Sequence, residues 1–252
     1  MKYKFDKELN SAQRSVEHGK IIRSKKFLYK IYISWYNVIL KELKSINEDV
    51  SQLKIVELGS GGGFIKEIIP NVITSDILEI GNLDMIFSAL EMPFEDDQLD
   101  AIVMVDTFHH IPNVEKFLAE AQRCLKNGRK IIMIEPAKTW WGSFIYKNFH
   151  HEDFDTKVKQ WQFQSDGPLS SANGALPWIV FKRDFEIFSQ KFTQLKLEKY
   201  KNHSPIIYLL SGGLSMPQLM PNFSFGFFKT LDKILSLISG FGMFTSIVVS
   251  VK

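Results

Sequence analysis

Apolar residues recur at intervals of three and four through the first part of the chain: Phe27, Leu28, Ile31, Trp35, Val38, Ile39 and Leu43, with lysines between them. That period predicts amphipathic helices within residues 1–50. From residue 53 the pattern changes. Short β-branched runs at 53–58, 72–76, 100–106 and 129–135 alternate with helical stretches at about 62–69 and 112–125. Pro70 stops the first helix. Pro112 opens the second, where its missing N–H is not needed, and Asn127-Gly128 ends it. Residues 77–98 show no regular period. Apolar strands separated by helices are buried on both faces, so the pattern predicts an α/β chain with a Rossmann-like, doubly wound, mostly parallel sheet. Such sheets bind ligands at the carboxyl ends of their strands.

Composition narrows the function. The chain has 252 residues and a net charge of +3, with Lys and Arg spread along it. No basic stripe forms, which argues against a nucleic-acid partner. Cys124 is the single cysteine, on the apolar face of the second helix. It excludes an intrachain disulfide framework and suits a reducing compartment, with a buried thiol as the simplest reading. Met1 to Lys7 carries charges with no apolar run behind them, so no signal peptide is read and a cytoplasmic location is expected.

One segment carries chemistry. Residues 55–64 read Ile-Val-Glu-Leu-Gly-Ser-Gly-Gly-Gly-Phe, and the next strand ends on Asp76. A glycine turn lets backbone N–H groups approach a ligand, and a carboxylate one strand away can accept from a ribose diol. The pair describes a nucleoside site. Phe64 stands where a dinucleotide fingerprint would place its third glycine, and Glu57 puts an acid where a pyrophosphate would be disfavoured. An acid there suits a ligand that is cationic nearby. Four ordered pieces complete the picture: Glu57 to Gly63, Leu90 to Asp100, Asp106-Thr-Phe-His-His-Ile-Pro112, and Leu125 to Ile132. With Asp76, they make residues 53–136 resemble a class I S-adenosylmethionine-dependent methyltransferase of the small-molecule type.

The resemblance implies S-adenosylmethionine as cofactor and a site for it. Gly59, Ser60 and Gly61 would lie against its methionine part, with Glu57 near the amino group or merely capping the loop. Asp76 would take the ribose hydroxyls and Ile77 would pack on adenine. The family often has an acid before an apolar residue at Ser88-Ala89; here the first is serine. Asp106 would stand beside the transferring methyl. The family also implies an antiparallel last strand. Four parts follow: an N-terminal helical cap (1–50), the cofactor-binding half (51–136), an acceptor-binding insertion after the fifth strand (137–194), and closing strands with an apolar segment of the same domain (195–252).

Methyl transfer to a hydroxyl benefits from a base, and histidine suits neutral pH. His110 follows the fourth strand, as a base or packed on the cofactor; His150 and His151 follow the fifth, as a base or on the surface. A metal site from His150, His151, Glu152 and Asp153 is rejected, because adjacent residues cannot converge on one ion, and no metal is expected. Trp140 and Trp141 either wall the acceptor pocket or pack the insertion on itself.

Residues 202–228 contain no Asp, Glu, Lys or Arg, and a second uncharged run spans 234–251. Serines and glycines dilute the second run, so a helix at about 227–239, a turn at Gly240–Gly242 and a strand over 244–251 fit better than a membrane span. The stretch 206–228 either walls a hydrophobic pocket or touches a membrane surface. The expectation is a methyltransferase for a small or lipid-linked acceptor, at oxygen. The rivals are a non-catalytic scaffold of the same fold, which Ser88 favours, and an NAD-dependent oxidoreductase, which Phe64 and Glu57 disfavour.

Overall fold

The computed structural model describes residues 11–150, 152–164, 167 and 171–252. Two helices come first, α1 (Ala12–Ser24) and α2 (Lys26–Lys44). The buried positions of α2 include Phe27, Leu28, Ile31, Trp35 and Ile39, which is the stripe its apolar spacing describes. Seven strands then form one sheet: β1 (Ile55–Leu58), β2 (Ile73–Asp76), β3 (Met85–Ile86), β4 (Leu99–Val105), β5 (Leu125–Pro136), β6 (Leu195–His203) and β7 (Phe244–Val251). Their order is β3-β2-β1-β4-β5-β7-β6, and β7 runs antiparallel to both its neighbours. All other pairs are parallel. The order reverses beside β1, so a crevice opens where β1 and β4 end.

Four local expectations are corrected. The helix expected at 62–69 is only a 3₁₀ turn, Ile65–Glu67. Three consecutive glycines disfavour helix on one side and Pro70 forbids its continuation on the other, leaving too few residues for two turns. The N-terminal helices fill the space instead. Phe64 stacks on Tyr29 at 4.7 Å and meets Tyr36 edge-on at 5.2 Å. α1 lies so close to the glycine loop that a Cβ on Gly62 would sit 2.3 Å from the Ser15 carbonyl oxygen.

The second helix, α3 (Val114–Cys124), starts after Pro112, with Asn113 capping it by accepting from the Lys116 N–H at 2.9 Å. It stops before Asn127-Gly128, which instead lie inside β5, where Gly128 has φ 74° and the register with β4 shifts. The region 77–98 contains the two-residue edge strand β3, too short to leave a period in the sequence. Cys124 is fully buried.

The connection from β5 to β6 carries α4 (Trp140–Phe149), α5 (Leu176–Trp178), a π turn (Ile179–Arg183) and α6 (Phe185–Lys191). Between β6 and β7 lie α7 (Ile207–Ser211) and α8 (Phe225–Leu235), the latter starting and ending earlier than the expected 227–239. Trp140 stacks on Phe241 at 5.4 Å, and Trp141 Nε1 donates to the Pro205 carbonyl at 2.7 Å. The two tryptophans thus tie one insertion to the other. No helix among the described residues is long and apolar enough to cross a membrane.

Candidate functional site

A cavity of about 540 Å³ opens at the carboxyl ends of β1, β2 and β4. Its first end is made by the glycine loop. Gly59 and Gly61 have φ of 66° and 48°, a region that glycine enters without strain. The Ser60 N–H donates to the Ser75 carbonyl at 2.9 Å and Ser60 Oγ accepts from the Ser75 N–H at 3.1 Å, which clips the loop to β2. A Cβ on Gly61 would meet nothing nearer than 3.9 Å, so that backbone faces open space. Asp76 accepts from the Gly61 N–H with one oxygen and from the Leu78 N–H with the other, each at 3.0 Å. Burial raises its pKa, against those backbone hydrogen bonds.

Glu57 is 3% exposed, and its Oε2 has no hydrogen-bond partner among the described residues. Burial pushes its carboxyl up to about 7, with the Ser60 hydrogen bond opposing and the Asp76 charge adding to it. A buried carboxyl with an orphaned oxygen on a cavity wall is costly unless a donor or cation from a ligand meets it. Such a group fits the amino or sulfonium part of an adenosyl amino acid. Ile77, Ser88 and Ala89 complete this end. All nine positions expected to face the cofactor, Asp106 included, therefore line one cavity.

The other end is assembled from distant segments. Asp106 closes β4 with φ 57°, a strained value for a non-glycine residue. Burial raises its carboxyl to about 7, opposed by His109 and reinforced by Glu152 and Glu135. The turn after it is held from below by Glu135, at 0% exposure: Oε1 accepts from the Thr107 and Phe108 N–H groups at 2.9 and 2.8 Å. Glu135 Oε2 takes His109 Nδ1 at 2.7 Å. His109 Nε2 faces Glu152 Oε2 at 3.3 Å, near enough for an ion pair but without hydrogen-bond alignment. Burial disfavours a charge on His109, yet Glu135 and Glu152 together raise its pKa well above the usual value. Glu152 is held low, burial being overcome by His109 first. His110 borders the cavity, with Nδ1 3.2 Å from the Ser171 carbonyl and Nε2 3.6 Å from Glu152 Oε1. Burial, then the charge of His109, lowers it to about 4.

The histidine expectations separate here. His110 lines the cavity, whereas His150 does not; it stands behind Glu152, its Nδ1 3.7 Å from Oε2. His151 lies outside the described residues. Trp140 and Trp141 are absent from the lining, while Leu214 and Ser215 of the 206–228 stretch belong to it. Sequence reasoning missed Glu135, an acid closing an otherwise apolar strand, which is a readable signal. It named Glu152 only within a cluster it rejected. It also missed Arg14, Ser15, His18, Tyr32 and Tyr36, by which α1 and α2 wall the cavity.

The methyltransferase domain family matches residues 56–133. A sterol 4-C-methyltransferase of Caenorhabditis elegans is 30% identical over 100 residues, which is 38% of this chain and 30% of that protein. A ubiquinone biosynthesis O-methyltransferase of Rickettsia bellii is 26% identical over 117 residues, 39% of this chain and 48% of that protein. The chain thus spans less than half the length of either relative. Geranyl diphosphate C-methyltransferase from Streptomyces coelicolor, solved with Mg²⁺, geranyl diphosphate and S-adenosylhomocysteine, superposes with a TM-score of 0.51 at 12% identity, over 93% of this chain and 84% of that one; at that identity the likeness is one of fold. Residues 56–133 thus match a methyltransferase domain, and the sheet around them has the fold of the class I S-adenosylmethionine-dependent methyltransferases.

Proposed function

We propose that this protein transfers a methyl group from S-adenosylmethionine to a hydroxyl of a small or lipid-linked acceptor. The observation that carries the reading is the convergence of Glu57, Gly59, Gly61, Asp76 and Asp106 on one cavity, with a Glu57 oxygen left without a partner. When bound, the cofactor supplies a methyl group already activated on a sulfonium. The chain's task is placement, with the acceptor atom held about 3–3.5 Å from the reacting carbon. In this reading Glu57 holds the amino group, and Gly59, Ser60 and Gly61 cradle the amino-acid part. Asp76 takes the ribose diol, Ile77, Ser88 and Ala89 border adenine, and Asp106 borders the methyl donor. Residues 1–50 cap the cofactor held by 51–136, and 137–194 and 195–252 shape the acceptor side.

His110, kept neutral by burial, and the Glu152 carboxylate are the proton acceptors at the far end of the cavity. A base placed there is worth roughly 10²–10⁴-fold for a hydroxyl acceptor, which favours oxygen. The two relatives, one named for a sterol and one for ubiquinone biosynthesis, support an apolar acceptor. So do Ile111, Pro112 and Leu214 on that wall.

A lipid-linked acceptor also suits the surface. Phe223 and Phe227 are 90% and 68% exposed, and Met216 and Leu219 are exposed beside them. Lys229 and Lys233 lie on α8, and the one acid in residues 204–252, Asp232, is turned inward to accept from the Ile206 and Ile207 N–H groups. We read this as peripheral contact of a cytoplasmic protein with an anionic lipid surface through 206–228 and α8.

Calorimetry with S-adenosylmethionine and S-adenosylhomocysteine tests the cofactor, and transfer of a labelled methyl to hydroxylated prenyl rings and sterols tests the reaction. Heat from both, with label on a hydroxyl, is expected. No heat from either, with NAD binding instead, would end the reading. Bound cofactor without label in any lipid or small-molecule extract would leave a non-catalytic scaffold.

A further inference from the structure

The far end of the cavity holds three side chains that meet at one point. The ligand-type atoms of His109, His110 and Glu152 all lie within 4.8 Å of one another. We propose that they bind one divalent transition-metal cation of the zinc class, presented to the cavity with a coordination position open.

The separations fit. Bonds of 2.0–2.2 Å from one ion to nitrogen and oxygen at tetrahedral or right angles put neighbouring ligand atoms about 3–3.5 Å apart. His109 Nε2 is 3.3 Å from Glu152 Oε2, and His110 Nε2 is 3.6 Å from Oε1 of the same carboxylate. The trio as a whole lies within 4.8 Å, so closing on one ion means drawing its ligand atoms in to about 3–3.5 Å.

The surroundings of the two rings point the same way. A metal-bound histidine donates its other ring N–H to a carboxylate or backbone carbonyl, which fixes the tautomer and aims the lone pair. Both rings have this arrangement. His109 Nδ1 is held by Glu135 Oε2 at 2.7 Å, and His110 Nδ1 lies 3.2 Å from the Ser171 carbonyl oxygen. Glu135 is in turn immobilised by the Thr107 and Phe108 N–H groups. His109 Nε2 is buried at a ring that is 1% exposed and has no hydrogen-bond partner, although it faces an acid. A shared ion would give that buried nitrogen and the facing carboxylate a common partner.

Two histidines and one carboxylate with an open position make the donor set of a catalytic site rather than a closed structural one. The open position faces the cavity through His110 and Glu152. With the ion bound, His110 and Glu152 serve as ligands in place of bases, and a hydroxyl coordinated there would be fixed in place and release its proton more readily to water. That role rests on the proposed methyl transfer; the binding of the ion does not.

The test uses the full chain, stripped with chelator, and Zn²⁺ and Co²⁺ as probes. Competition against a chromogenic chelator should give one Zn²⁺ per chain, and Co²⁺ should produce visible d–d absorption. Glu152→Gln and His110→Ala should each weaken Zn²⁺ by at least tenfold. Glu135→Gln, which acts through His109, should weaken it about 10–100-fold with the circular dichroism unchanged. Asp76→Ala should weaken S-adenosylmethionine roughly thirtyfold and leave the ion's affinity unchanged, which separates this site from the cofactor reading. Substoichiometric Zn²⁺, or an affinity indifferent to Glu152→Gln, would overturn the proposal and leave His109 as a proton-bearing bridge between Glu135 and Glu152.

Discussion

At the glycine-loop end of the cavity, the polar groups on the wall come from residues 57–76, with Ile77, Ser88 and Ala89 beside them, and backbone conformation places them: two positive φ angles, a loop clipped to β2, and an aspartate fixed by N–H groups. At the far end they come from the turn after β4 and from Glu152, and Glu135 at the tip of β5 holds that turn from behind through side-chain hydrogen bonds. The first end is preformed by local geometry and tolerates side-chain changes that leave the turn intact. The second is a buried polar network, strong when complete and costly when one member is removed.

Glu135→Ala is therefore the most damaging single change expected. It strands two backbone N–H groups and leaves His109 facing Glu152 without its main partner. Removing one member of a buried charged pair costs on the order of 3–5 kcal/mol. Urea unfolding should show this loss at neutral pH. A midpoint close to that of the parent chain would mean that the turn after β4 is held by packing alone.

At the glycine-loop end, Glu57→Gln should act in the opposite direction. Glu57 ionises near 4.5 when exposed, but burial holds it protonated up to about 7 in the folded chain. The folded state keeps a proton that the unfolded chain releases across that window. Stability from this group is thus present at low pH and lost as pH rises from about 4.5 to about 7. Glutamine carries no such slope, so without cofactor the variant should be more stable at pH 8 by about 2–3 kcal/mol and little changed at pH 4.5. Scanning calorimetry at the two pH values decides it. Asp76→Ala should come next, weakening S-adenosylmethionine by about 2 kcal/mol, or roughly thirtyfold, as charge-assisted acceptors are lost. Unaltered affinity in a binding titration would put the ribose elsewhere.

The same contrast explains what the sequence made legible. The glycine loop, Asp76 and the strand runs are local patterns, and the sheet follows them. The helix expected at 62–69 failed between three glycines and Pro70, and what covers that face instead, α1 and α2 through Tyr29, Tyr36 and Gly19, is set by tertiary contact. β3 was invisible because an edge pairing of two residues has no period. Glu135, His109 and Glu152 have no mutual spacing to read. Only tertiary contact makes them a unit, and a rule that asks for neighbouring ligands passes over them.

The exposed insertion supplies the smallest effect and a separate boundary to the comparison, since Phe223 and Phe227 support neither end of the cavity. Replacing both by serine removes side chains that are already in water, so folding and cofactor affinity should not move. Partition onto anionic vesicles should fall by about 1–2 kcal/mol, or on the order of tenfold, because two partly inserted rings no longer leave water. Flotation with phosphatidylglycerol and phosphatidylcholine vesicles measures this. Raised salt should weaken the parent chain on the anionic vesicles alone, as Lys229 and Lys233 lose their attraction. Should the parent chain ignore both vesicle types, the acceptor must reach the cavity from solution. Leu214 and Ser215 would then be pocket wall without a membrane behind them.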